Sequence, residues 1–271
     1  MKRFIGSPCV IVLTGFVALL PALKAGVDSN SQDADAVPPN VQKALQLPKG
    51  DEKTKELSAA AGEWAKKDPT AALAWSQQLP RDTPFSVSAG VVAACALANG
   101  KASADWAVQH SRPPEFGPLH GLLFVWSSRS DPAAAAAWCA EAPKNARYIS
   151  FFSVGDGWYL KDQPAASNWV AKLESADDRH AALHGIALKW GRANIPAATG
   201  WIKQLKGDDL KVAVKAIAGD WRANKFNNGS NARNEAAMKE WLDSFPLSDT
   251  DKTEDLSGPP LSNTGAVAPK K

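Results

Sequence analysis

His180 and His184 are the residues in this chain best spaced to do chemistry together. Residues four apart share one face of a helix, the spacing that helical zinc sites use. The sequence between them is Ala181-Ala182-Leu183, so the glutamate of a metalloprotease helix is missing, and the nearest acids are Asp177 and Asp178 in the preceding turn. With no third ligand placed beside them, no metal site is expected, and no motif asks for a cofactor. The acids Glu63, Asp105, Asp156, Glu174 and Asp220 stand singly, in unlike sequence contexts. Asp177-Asp178 and Asp208-Asp209 recur at the same kind of turn. Paired acids at a helix start read as capping and dipole compensation, and a glycosidase pair would need a cleft between them. There is neither a Gly-x-Ser-x-Gly elbow nor a phosphate-binding glycine loop. No catalytic residue is therefore assigned, and the chain reads as non-enzymatic.

The elements that carry these residues are announced by tryptophan. Eleven tryptophans fall on a two-phase ladder with a period of 31 or 32 residues. One rung is Trp75, Trp106, Trp138, Trp169 and Trp201, with Trp241 as a displaced last copy; the other is Trp64, Trp126, Trp158, Trp190 and Trp221, with Cys95 in its empty slot. A fixed period of this size marks a stacked repeat array. Before the first rung stand Asp68-Pro69 and Asp131-Pro132, an N-cap followed by a proline whose missing N–H costs nothing in the first turn. Pro164 and Pro196 mark the same start without an adjoining Asp. Four residues before each tryptophan of this rung is an alanine: Ala71, Ala102, Ala134, Ala165 and Ala197, with Ala237 before Trp241.

The second rung closes a second helix. Val91, Leu122, Val154, Ile186 and Ile217 lie four residues before it, and Ser88, Leu119, Phe151, Leu183 and Val214 lie seven before. Together they form one helical stripe. A column of small residues five before the rung (Gly90, Gly121, Ser153, Gly185, Ala216) lies on the opposite side and predicts close packing against the next repeat. The periodicity predicts an all-α fold of about twelve helices between residues 51 and 246, a right-handed αα-solenoid of about six helix-hairpin repeats. A polar loop over Asn227–Asn231 is expected to interrupt the last copy. All eleven tryptophans are expected in the core.

One column does not keep its residue type. Ten before the second rung come Phe85, Phe116, Tyr148, His180 and Lys211; six before come Ala89, His120, Phe152, His184 and Lys215. Stacked repeats would set these side by side as a stripe, aromatic at one end and basic at the other. Repeat arrays commonly bind along such a surface, so Phe85, Phe116, His120, Tyr148, Phe152, His180, His184, Lys211 and Lys215 are the candidate ligand-binding residues. The competing reading makes the aromatics core and the basic residues solvated flank.

The chain ends are of different character. Lys2 and Arg3 followed by an apolar stretch to Leu23 and a small Ala25 read as a secretory signal over residues 1–25. Export to a periplasmic, cell-envelope or secreted location follows. Residues 26–50 read as a flexible leader, 51–247 as the repeat domain and 248–271 as a disordered tail. Of 31 basic residues the signal holds Lys2, Arg3 and Lys24, and it holds none of the 28 acids, so the remainder is balanced at 28 of each. This balance gives no case for nucleic acid as a partner. No second stretch reads as long enough to span a bilayer. Cys95 and Cys139 are open to two readings, a disulfide or two buried small hydrophobes.

The Trp…Asp-Pro-x-Ala-Ala…Trp unit over residues 51–247 resembles the helix-hairpin repeats of exported bacterial proteins and, more loosely, tetratricopeptide repeats. Its period departs from the tetratricopeptide length, and the glycine and tyrosine positions of that repeat are not met. The resemblance implies an αα-solenoid that presents a binding surface; it implies no activity and carries over no catalytic residue. Taken with the rest of the chain, the expected function is a non-enzymatic exported scaffold for a protein or peptide, with a cell-envelope glycan-binding module or a carbohydrate-active enzyme as alternatives.

Overall fold

The computed structural model describes residues 37–80, 82–110, 117–228 and 232–253. Over these residues the chain is all-helical, with thirteen helices and no strand. They are α1 (Pro39–Leu45), α2 (Asp51–Lys67), α3 (Pro69–Ser76), α4 (Phe85–His110), α5 (Gly117–Arg129), α6 (Pro132–Glu141) and α7 (Arg147–Lys161). Then follow α8 (Gln163–Ala171), α9 (Ala176–Ala193), α10 (Ile195–Ile202), α11 (Gly207–Asn228), α12 (Ala232–Asp243) and α13 (Asp249–Thr253). The long helices α2, α4, α5, α7, α9 and α11 pack side by side in chain order, and each of the short helices α3, α6, α8 and α10 bridges the long helix before it and the one after. α4 is two helical arms joined at Asn99, whose φ of −155° and ψ of 85° are not helical. Counting the arms separately, twelve helices lie between residues 51 and 246.

The short helices start where a side chain can cap them. Asp68, Asp131, Asp162, Asn194 and Asn99 each accept a hydrogen bond from the backbone N–H three residues on, at 2.9–3.0 Å. The donors are Ala71, Ala134, Ala165, Ala197 and Ala102, so the alanine column that precedes each tryptophan is also the receiving end of the cap. The copies that lack Asp-Pro keep the cap: Asp162 and Asn194 stand one residue further from Pro164 and Pro196. An uncapped first turn would leave N–H groups without partners.

Glycine sets how closely the long helices approach. A Cβ built on Gly185 would lie 2.2 Å from the Phe152 carbonyl oxygen, and one on Gly155 would lie 2.5 Å from the Ala182 carbonyl oxygen. Gly157 is equally tight against Ser127 and Phe124. The small column thus faces the preceding helix rather than the next repeat, because Gly121 meets Val92 of α4 and Gly185 meets α7.

The tryptophans are less interior than the ladder predicts. Trp64, Trp126, Trp138 and Trp190 are buried, while Trp75, Trp106, Trp158, Trp169, Trp201, Trp221 and Trp241 are half-buried and packed against the core. Within a hairpin the two rungs meet, as in Trp158–Trp169 at 5.2 Å and Trp190–Trp201 at 5.1 Å between ring centroids. With helices only two deep, no further layer covers the outer edges of such large rings. The fully buried core is instead mainly aliphatic, with Leu73, Val91, Leu119, Leu122, Leu123, Leu183, Ile186 and Ile202.

Three expectations about the flanks and loops change. The leader is helical from Pro39 to Leu45, and Val41 and Ala44 are buried in the common core. The start of the expected tail is also helical, as α13, where Lys252 pairs with Asp243 at 3.2 Å. α11 runs through Asn227 and Asn228, which shortens the expected polar loop. The signal segment, residues 26–36 and residues 254–271 lie outside the described residues. By length and apolar composition α4 could cross a bilayer, contrary to the reading that no further stretch could. The Asn99 break divides it into arms each shorter than the ~20 residues a span requires, and Val87, Val91 and Cys95 of its first arm are buried.

Candidate functional site

The short helices cover the tryptophan side of the long-helix layer. At 100° per residue, the positions two and six before the second rung point well away from that side. Three successive helices bring their variable residues together there. The Tyr148 hydroxyl of α7 donates to Nδ1 of His184 on α9 at 2.7 Å. Phe152 packs edge-on to His184 at 5.3 Å and beside Tyr148 at 6.4 Å. On the other side Phe152 meets His120 of α5 at 5.9 Å, and His120 also meets Phe124. His120, Tyr148, Phe152 and His184 are therefore one continuous row.

The other candidates divide. His180 donates Nε2–H to Asp209 at 3.1 Å and joins the Arg179–Asp209 ion pair, so the two histidines serve different partners. Lys211 pairs with Asp251 at 3.1 Å, which uses its charge to tie α11 to α13. Lys215 is half-buried on α11. Phe85 is 82% exposed at the start of α4. Phe116 lies outside the described residues. No group of three or more His, Cys, Asp or Glu side chains gathers among the described residues.

Three residues join the row that the repeat columns did not flag. Lys189 reaches Asp156 at 3.3 Å and lies 4.9 Å from the centre of the Phe124 ring. Burial raises the Asp156 carboxyl above its ordinary value, against the pull of Lys189 and His120. Burial lowers His120, with Asp156 opposing and Lys189 assisting. Burial alone takes His184 from 6.5 to about 4, and takes the Tyr148 phenol up to about 12. The signal in the sequence was faint: Asp156 is the one acid in a column that otherwise reads Ala93, Phe124, Leu188 and Gly219. Its partner Lys189 sits in a different column, 33 residues on.

Ser153, His120 and Asp156 have the residue types of a nucleophilic triad, but the geometry directs them elsewhere. The fully buried Ser153 hydroxyl donates to the Ile149 carbonyl at 2.5 Å. It can then only accept from His120 Nδ1, at 2.9 Å. A nucleophile needs the opposite polarity, with its proton held by the base. The paired acids also find partners: Asp178 receives two hydrogen bonds from Arg147, and Asp209 receives Arg179 and His180. Both pairs stand in the first turn of their helices, as read from the sequence, and Asp178 and Asp209 also tie α7 to α9 and α9 to α11. Cys95 and Cys139 are both free and buried, and burial raises Cys95 to about 12.

Two clefts open near the C-terminal hairpins. One of about 250 Å³ lies among Gly191, Arg192, Ile217, Asp220 and Trp221. The other, about 490 Å³, lies between α8, α9, α10 and the start of α11. No protein-family model, no curated protein and no solved structure matches the chain.

Proposed function

We propose that the chain is an exported, non-catalytic αα-solenoid that binds a protein or peptide on the open face of its long-helix layer. The supporting observation is the row His120, Phe124, Tyr148, Phe152 and His184, aromatic and imidazole side chains from three successive helices in contact. Leu97 and Leu160 stand exposed two residues past the second rung, on the same side of α4 and α7. Exposed apolar side chains beside the half-buried Tyr148 and Phe124, with Phe152 buried between them, and a partly exposed Lys189–Asp156 pair suit a partner chain that offers both apolar anchors and charge. The signal-like N-terminus supports export, and the linear helix order supports the solenoid reading.

The test is site-specific photo-crosslinking in the native envelope. A crosslinker at Leu160 is expected to capture one discrete protein adduct, and the same group at exposed Lys144, in the α6–α7 turn, is expected not to. Identical adducts from both positions would remove the assigned face.

A further inference from the structure

The larger cleft departs in chemistry from the equivalent positions one hairpin earlier. We propose that it is a saccharide site that takes a neutral hexopyranose unit of an oligosaccharide. One hairpin earlier the equivalent positions carry different side chains. There Phe151 lies parallel to Trp169 at 6.0 Å, the Arg147 guanidinium sits 5.3 Å over Phe151, and Ala136 and Ala137 stand at the positions equivalent to Ser167 and Asn168. In the α8–α10 copy, Leu183 replaces Phe151, Ser167-Asn168 replaces the two alanines, Gln204 replaces Lys172, and a cleft of about 490 Å³ remains. That volume falls within the roughly 300–1,000 Å³ of ligand pockets, and the 250 Å³ cleft falls below it.

The lining offers unused hydrogen-bonding groups. The Trp201 indole N–H, the Ser167 hydroxyl and the Asn168 amide make no side-chain hydrogen bond among the described residues, and Gln204 makes one, at 3.3 Å to the Gly200 carbonyl. Trp190 stacks on Trp201 and holds the indole in place. Arg179 donates from Nε to both Asp209 oxygens at 3.0–3.1 Å and from Nη1 to Leu173, which leaves Nη2. Its charge is matched by Asp209, so the cleft favours no net charge in a ligand. A pyranose presents a flat C–H face and a rim of hydroxyls that both donate and accept. A fixed indole suits the face; amides, a hydroxyl and an Arg–Asp pair suit the rim. The site lies on the short-helix side and does not depend on the peptide-binding reading.

Nuclear magnetic resonance on the full ¹⁵N-labelled chain tests it, with maltotriose, cellotriose and chitotriose as probes. The readouts are the Trp201 indole N–H, assigned through Trp201→Phe, and the Asn168 side-chain amide. At least one trisaccharide is expected to shift both, and Asn168→Ala with Gln204→Ala is expected to weaken binding about tenfold or more with an unchanged melting midpoint. Tyr148→Phe, on the face of the long-helix layer turned away from the short helices, is expected to leave the sugar titration unchanged. Absence of any shift at ~10 mM of all three sugars, far weaker than a useful site, would overturn the proposal. So would tighter binding of trigalacturonate than of every neutral probe, or insensitivity to the double variant.

Discussion

At the residue scale, burial decides what the polar side chains can do. His184 accepts from Tyr148 and faces Phe152, and it resists protonation down to about pH 4. Its folded value lies below the ordinary 6.5. As pH falls from 6.5 towards 4, the unfolded chain takes a proton that the folded chain refuses, so stability is full above 6.5 and declines through that window. The decline is on the order of 3 kcal/mol for this residue, and His120 acts in the same direction. Urea unfolding at pH 7 and pH 4.5 is expected to show it, with His184→Gln reducing the difference; an equal difference in that variant would place the effect elsewhere. Tyr148→Phe should lower stability at pH 7 by about 1 kcal/mol, the loss of one partly buried hydrogen bond, read from the same curves. The histidine row was legible because its column changed type between repeats. Asp156 and Lys189 were not, because each occupies its column once and their pairing runs diagonally between helices.

At the element scale, caps and glycines have separable effects. Asp131→Ala is expected to cost about 1 kcal/mol, since the Ala134 N–H loses its acceptor at the start of α6. Thermal melts of this variant beside Asp162→Ala should show similar drops. Gly185→Ala places a methyl into the Phe152 carbonyl and is expected to cost about 1–3 kcal/mol as α7 and α9 separate. Gly200→Ala, inside α10 with nothing within 4 Å, should instead stabilise by about 0.5–1 kcal/mol. If both alanines melt alike, close helix approach is not what the glycines provide. Helix number and order could be read from the tryptophan and alanine periods, which report local packing. The helical leader could not: α1 is short and largely polar, and its packing against α2 accompanies the burial of Val41 and Ala44.

At the scale of the whole molecule, each long helix is supported by its neighbours in sequence order. Trp158→Ala in α7 is expected to destabilise by about 3 kcal/mol, the low end for a tryptophan truncation because the ring is half-buried. Helices α5 and α9 should lose protection together with α7, which native-state hydrogen exchange can read; loss confined to α7 would mean that hairpins fold independently. The Gly155–Gly185 crossing has a consequence for how such a chain can lengthen. Each helix there presses a glycine against the other's backbone, so the seam between α7 and α9 accepts only a matched surface. A duplicated hairpin inserted at that seam would have to carry glycine on both of its flanks. The α2–α4 boundary, where Gly62 and Gly90 have open space around them, makes no such demand. Adding or removing a whole hairpin is therefore easier at the α2–α4 boundary than between α7 and α9.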